Sequence, residues 1–241
     1  MDFKKINNLT GWAVTLIACT VYLLTMEASG SFWDCGEFIS SAYKLQIPHP
    51  PGAPMFVLLG RVFIIFFGDN PQTAALAVNS MSALASGFTI LFLFWTITHF
   101  AKRILEAQSG TALTNNQIFL VMGAGVVGAL AYTFSDSFWY SAVEGEVYAL
   151  SSFFTALVFW AILKWEHKAD QPGADKWIIF IFYIMGISIG VHLLNLLTIP
   201  AIVMVYYFRL YKPTIKGALF AFFIGVVITG LVQVFLIQYT I

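Results

Sequence analysis

Charge and cysteine are scarce in this chain. Only 10% of its 241 residues are charged, and twelve Lys and Arg offset twelve Asp and Glu, so the formal net charge is zero. A basic nucleic-acid binder or a charged, disordered tail needs a surplus of one sign, so both are excluded. Two cysteines, Cys19 and Cys35, are too few for a disulfide framework. Neither belongs to a CxxC or CxxH pair that would hold a metal, and both read as inert thiols. The chain also lacks a P-loop and an HExxH motif.

What is present is apolar. Hydrophobic residues make up 59% of the chain, against about 45–50% in soluble domains, which carry about 25% charge. Even a soluble domain of about 300 residues buries only about 75% of its unfolded surface. The composition therefore predicts an all-α fold, a polytopic membrane helix bundle forming a single transmembrane domain over residues 1–241. A span needs about 20 mostly apolar residues. Seven candidates follow: Gly11–Met26, Thr73–Thr98, Ile118–Phe134, Val147–Leu163, two short spans within Trp177–Phe208 that turn near Gly190–Asn195, and Gly217–Ile237. The last apolar run reaches within four residues of Ile241, so the chain reads as the front part of a longer protein. Gly123, Gly125 and Gly128, like Gly186 and Gly190, read as small residues that let helices approach.

With the N-terminus placed in the cytoplasm, ten of the twelve basic residues fall on that side, leaving only Lys44 and Arg61 outside. This is a positive-inside pattern. Seven of the twelve acids lie outside.

The longest outer segment, residues 27–72, carries the chemistry. Amphipathic surface helices are expected near 34–45 and 54–67. Between them, four of the eight prolines crowd into Pro48–Pro54, a stiff extended stretch. Asp34 and Glu37 stand i,i+3, so their carboxylates share one helix face. Paired carboxylates can act as base and electrostatic stabiliser, or hold a divalent cation. The competing reading makes Asp34 an N-cap and Glu37 a first-turn charge. Arg61 reads as a phosphate holder or a snorkelling interface residue. A lone Arg at mid-bilayer costs about 2.5–3.5 kcal/mol, which keeps 54–67 out of the list of spans. His49 is the remaining polar candidate on this loop.

Two further outer features converge on the same face. Glu144, Glu146 and Tyr148 open the fourth span, and at i,i+2 the two acids cannot share a helix face. His192 and Asn195 sit in the turn of the long apolar stretch, either bonding its broken backbone or contacting substrate.

Four runs carry a family resemblance: Trp33–Ile39 (WDCGEFI), Ile47–Gly52 (IPHPPG), Glu144–Leu150 (EGEVYAL) and Gly190–Leu197 (GVHLLNLL). Together they resemble the DUF2723 family, whose animal members are protein O-mannosyltransferases of the TMEM260 type and whose bacterial members are common in Bacteroidetes. The resemblance implies a GT-C-like glycosyltransferase, a multi-span bundle with two surface helices in its first outer loop. It implies a polyprenyl-phosphate-linked, mannose-like sugar as donor, and a protein or lipid as acceptor. Membrane lipids would be its surroundings and nucleic acid no partner. By the same logic Asp34 is the base or the ligand of a divalent cation, Mg or Mn, and Glu37 supports it. His49 or Arg61 neutralises the leaving phosphate. Glu146, Tyr148, His192 and Asn195 line the substrate side. A bacterial inner membrane with a periplasmic active face is the implied setting. Two rivals stay open: a transporter or flippase of a lipid-linked or anionic solute, and a non-catalytic membrane subunit of an envelope complex.

Overall fold

The computed structural model describes residues 2–237, which contain helices and no strand. The expectation about the chain's end at Ile241 lies outside the described residues. The first helix, α1 (Phe3–Thr25), starts where the Asp2 carboxylate accepts bonds from the amides of Lys4 and Lys5. That is earlier than the apolar run at Gly11, because hydropathy marks the lipid-facing stretch and the cap marks the helix.

Two short helices follow, α2 (Cys35–Lys44) and α3 (Pro54–Phe66). Next comes α4 (Pro71–Ser109), 39 residues long and so about 58 Å. Asn70 caps it, Pro71 occupies its first position, and Gly110 ends it in the left-handed conformation. It runs on through Lys102 and Arg103, where the sequence suggested a loop, and the Lys102–Glu106 pair at 3.7 Å braces that extension. The helix α5 (Asn115–Thr133) opens on a capping box between Thr114 and Gln117. A short α6 (Asp136–Val143) fills what reads in sequence as loop. The chain then forms α7 (Val147–Lys168), α8 (Asp175–Ile189), a 3-10 helix at Leu193–Thr198, α9 (Ile199–Leu210) and α10 (Ile215–Leu231), which continues as a π-helix over Val232–Ile237.

Among the described residues, six helical segments are long and apolar enough to cross a membrane: Phe3–Thr25, Pro71–Ser109, Asn115–Thr133, Val147–Lys168, Leu193–Leu210 and Ile215–Phe235. The expected seventh is α8. It has 15 residues, about 22 Å against a hydrocarbon core of about 30 Å. The chain breaks after Gly190, as the long apolar stretch suggested, and this break leaves α8 short. Its two ends nonetheless sit at opposite ends of α7. Ile189 shares a cavity with Val147, while Trp177 lies under the Lys168 ammonium, 5.8 Å from ring centroid to nitrogen.

The long helix α4 divides the apolar interior. One core joins α1, α4, α5 and α6 around Tyr22, Phe94, Val121 and Phe138, with the Tyr22 hydroxyl donating to the Thr133 carbonyl at 2.9 Å. The other joins α2, α3, α4, α7 and α8 around Phe38, Phe56, Val78, Phe154 and Ile181. The GxGxxG spacing of Gly123, Gly125 and Gly128 falls inside α5, with no strand before it. A Cβ on Gly125 would meet Phe94 at 2.7 Å, so this spacing serves helix packing and not a phosphate cradle.

One end of the bundle is tied by backbone bonds. Glu27 donates to Val143, Met55 donates to Gly190, and the Asn79 side chain donates to the carbonyls of Glu27 and Ser29. At the other end, Arg103 pairs with Glu166 at 2.7 Å, and Arg209 joins the Glu166 carbonyl to Asp170.

Candidate functional site

The backbone-tied end builds a polar cavity. Asp34 takes the N-cap position of α2, yet its carboxylate makes no cap bond. After α2 the chain turns at Leu45 and passes through a cis Pro50–Pro51 bond. Gly52 sits at φ 76°, a left-handed position that glycine adopts without strain, and its amide donates to the His49 carbonyl. This turn folds His49 back over α2. The His49 amide donates to Glu37 Oε1 at 2.6 Å, and the ring Nδ1 meets Oε2 at 2.9 Å. The His49 bonds hold the Glu37 carboxyl below the usual carboxylate range. In return, Glu37 raises the imidazole above its ordinary value. Each group thus favours the charged form of the other.

The second wall comes from the segment before α7. Glu144 and Glu146 both have extended backbones. The Glu146 amide donates to the Glu144 carbonyl at 2.9 Å, a tight turn centred on Gly145, so the helical rule that separated the two acids does not apply. Their carboxylates and the Cys35 thiol offer donor atoms all within 4.8 Å of one another. Cys35 is fully buried and donates to Glu146 Oε1 at 3.7 Å. Burial, then Glu144 and Glu146, push the Cys35 thiol up to about 12, so it keeps its proton. Glu146 is 7% exposed. Burial first, then the charges of Glu144 and Asp34, raise its carboxyl above the usual range.

The third wall is the break after α8. His192 Nδ1 accepts from the Leu194 amide at 3.1 Å, which leaves Nε2 to carry the proton of the neutral ring. Burial lowers its affinity for a second proton. The Tyr148 ring lies 5.4 Å away, centroid to centroid.

Asp34, His49, Glu146, Tyr148 and His192 thus line one cavity of about 90 Å³. Phe38 shapes it from below, its ring 5.7 Å from the imidazole. Among the described residues no Lys or Arg lines it, and of its two imidazoles, His49 and His192, it is His49 whose charged form Glu37 favours. Beside it runs an apolar groove of about 530 Å³ walled by Ile47, Leu58 and Leu193. The two share Pro51, Gly52, Ala53 and Ile189.

Two sequence candidates lie elsewhere. Arg61 is held by Asp69 through two bonds, 2.6 and 3.0 Å, and by the Tyr43 carbonyl. Asn195 is buried with Ser188 at 2.7 Å and Thr198, bonding the broken backbone and its neighbours. Cys35 and Glu144, conversely, lie against Glu146, a meeting that their spacing in the chain does not announce. The available signal was two acids flanking a glycine, a pattern suited to a tight turn.

Asp34, Glu37 and His49 also offer donor atoms within 4.8 Å of one another. Two carboxylates and an imidazole suit Mn better than Mg, which prefers oxygen alone. Both Glu37 oxygens already accept from His49, so Asp34 is the donor of this group left open for a cation.

Residues 34–215 match the profile of the Protein O-mannosyl-transferase TMEM260 N-terminal domain. The chain is similar to the protein O-mannosyl-transferase tmem260 of Dictyostelium discoideum, 28% identical over 159 residues, which cover 65% of this chain and 17% of that protein. It is also similar to the mouse protein O-mannosyl-transferase TMEM260, 27% identical over 187 residues, 78% of this chain and 23% of that protein. The chain thus spans about a fifth of the length of these relatives. No solved structure matches it.

Proposed function

The chain belongs to the Protein O-mannosyl-transferase TMEM260 N-terminal domain family, and from that premise we propose that it forms the donor site of a GT-C-type membrane glycosyltransferase. The observation that carries this reading is the junction of the polar cavity with the apolar groove through Pro51–Ala53 and Ile189. A polyprenyl-phosphate-linked sugar is built the same way, with an apolar tail, an anionic junction and a polar sugar. The groove would take the tail and the cavity the phosphate, with the sugar at the cavity's open mouth.

In this reading Asp34 accepts the proton of the acceptor hydroxyl. The acceptor oxygen bonds to the anomeric carbon as the bond from that carbon to the phosphate oxygen breaks. The electron pair leaves with the polyprenyl phosphate, and the sugar inverts. His49, whose charged form Glu37 favours, faces the charge that develops on the phosphate. Glu146, its carboxyl raised above the usual range by burial, faces the sugar hydroxyls, and His192 Nε2 offers them a donor. A divalent cation, Mn in preference to Mg, would be held by Asp34, with Glu37 supporting through its hold on His49, and would supply Lewis-acid stabilisation of phosphate charge. The acceptor is a protein or lipid, and the site faces the periplasmic or luminal side, by the positive-inside pattern of the basic residues.

The test offers polyprenyl-phosphate mannose and related donors to the purified full-length protein, with and without chelator. Transfer by the native protein and its loss in Asp34→Asn, with insertion intact, is the expected result. Near-normal turnover in that variant would remove Asp34 as the base. Failure of every polyprenyl-phosphate sugar would overturn the donor assignment.

A further inference from the structure

We propose that a second cleft, between α1, α4 and α7 at the end of the bundle away from the acidic cavity, binds a phosphate-bearing anion. The cleft has a volume of about 500 Å³. Lys4 from α1, Lys102 from α4, and Lys164 and Lys168 from α7 all line it, and among the described residues no Asp or Glu does. Lys102 has a carboxylate neighbour one turn along its own helix, Glu106 at 3.7 Å. Lys4, Lys164 and Lys168 form no ion pair among the described residues.

Four ammonium groups around one space repel one another unless an anion shares it. The structure holds three of them in place by aromatic faces. Lys102 lies 4.8 Å from the centroid of Phe3, Lys164 lies 5.0 Å from that of Trp160, and Lys168 lies 5.8 Å from that of Trp177. A ring face orients an ammonium without neutralising it, so the charges of Lys164 and Lys168, which have no carboxylate partner among the described residues, stay available to a ligand.

The lining is graded along each helix. On α7, Trp160 and Leu163 lie toward the middle of the bundle, and Lys164 and Lys168 lie toward its end. On α4, Trp95 precedes Lys102 in the same sense. The cleft is therefore apolar inward and cationic at its mouth. A phosphate attached to a hydrocarbon chain matches both parts, and the phosphate alone matches the mouth. Neither a sugar donor nor Asp34 enters this argument, so the cleft stands apart from the proposed transferase site.

The test measures thermal unfolding of the full-length protein in phosphatidylcholine nanodiscs under three conditions: no addition, phosphatidic acid in the bilayer, and inorganic phosphate in the buffer. The expected result is a midpoint raised by about 5 °C by phosphatidic acid. Lys164→Gln/Lys168→Gln should abolish that rise. Lys212→Gln/Lys216→Gln, which removes two basic residues outside the cleft lining, should keep it. An equal rise with inorganic phosphate would identify a free phosphate as the ligand, and a rise with phosphatidic acid alone would identify a lipid headgroup. No rise with either probe overturns the proposal, as does an equal loss in the control pair. Should the cleft variant fail to fold, native mass spectrometry of the unmodified protein decides. Retention of phosphatidic acid over phosphatidylcholine supports the site, and equal retention overturns it.

Discussion

Glu37 and His49, twelve residues apart, are joined twice: the His49 amide donates to one carboxylate oxygen at 2.6 Å, and the ring nitrogen meets the other at 2.9 Å. The pair lowers the pKa of Glu37 from 4.5 and raises that of His49 from 6.5. The Glu37 contribution to stability is present above 4.5 and is lost as pH falls through its lowered folded value. The His49 contribution is present below 6.5 and is lost as pH rises through its raised folded value. The difference in unfolding midpoint between the native protein and Glu37→Gln should therefore be greatest between pH 4.5 and 6.5. Proton NMR of the His49 ring should show a titration midpoint above 6.5 that drops in Glu37→Gln. An unchanged midpoint would separate the two residues.

Asp34 and Arg61 should respond in opposite ways. Asp34 lines the cavity with its carboxylate uncommitted to the helix cap, so Asp34→Asn should slow sugar transfer by about 10²–10⁴-fold with the unfolding midpoint unchanged. Arg61 is tied to Asp69, which is half exposed. Arg61→Ala should cost about 1 kcal/mol of stability and leave transfer unchanged. Transfer assays and thermal unfolding of the two variants check this pair, and a transfer defect in a stable Arg61→Ala protein would restore Arg61 to the site.

Gly145 separates Glu144 and Glu146 where three elements meet. A Cβ there would lie 2.9 Å from Asn79 Oδ1, 3.0 Å from Val78 and 3.2 Å from Ile39. Gly145→Ala should destabilise the protein by about 1–3 kcal/mol through overpacking. The shift moves Glu146, so transfer should fall as well. Unchanged stability would mean that α2 and α4 yield there.

Asn195 donates to the Ser188 hydroxyl at 2.7 Å and is 1% exposed. Asn195→Ala strips a buried partner and should cost about 1–3 kcal/mol, read by thermal unfolding. Because Asn195 does not line the cavity, the folded fraction should keep its transfer rate.

Much of the fold is written in composition. Apolar runs of span length predict the membrane-crossing helices, and the polar break near Gly190–Asn195 predicts where the long stretch turns. Helix ends are less legible. α1 starts at a capping aspartate and α4 continues through charged residues, because hydropathy reports the lipid and hydrogen bonding reports the helix. The short α6 was hidden for the same reason.

The candidate site divides similarly. Its residue types were legible: an acid pair on one helix, a histidine after a proline-rich turn, an acid opening a span and a histidine at a break. Which of them meet was not. The roles of Arg61 and Asn195 turn on partners close in sequence, Asp69 and Ser188. The meeting of Cys35 with Glu146 spans 111 positions. That this protein is a helical membrane bundle, with acids gathered toward one end and bases toward the other, can be read from its residues alone, because each charge buried in lipid carries its own cost. Which side chains share a cavity emerges with the packed bundle, because it depends on how helices distant in the chain meet and on what each polar atom has already bonded.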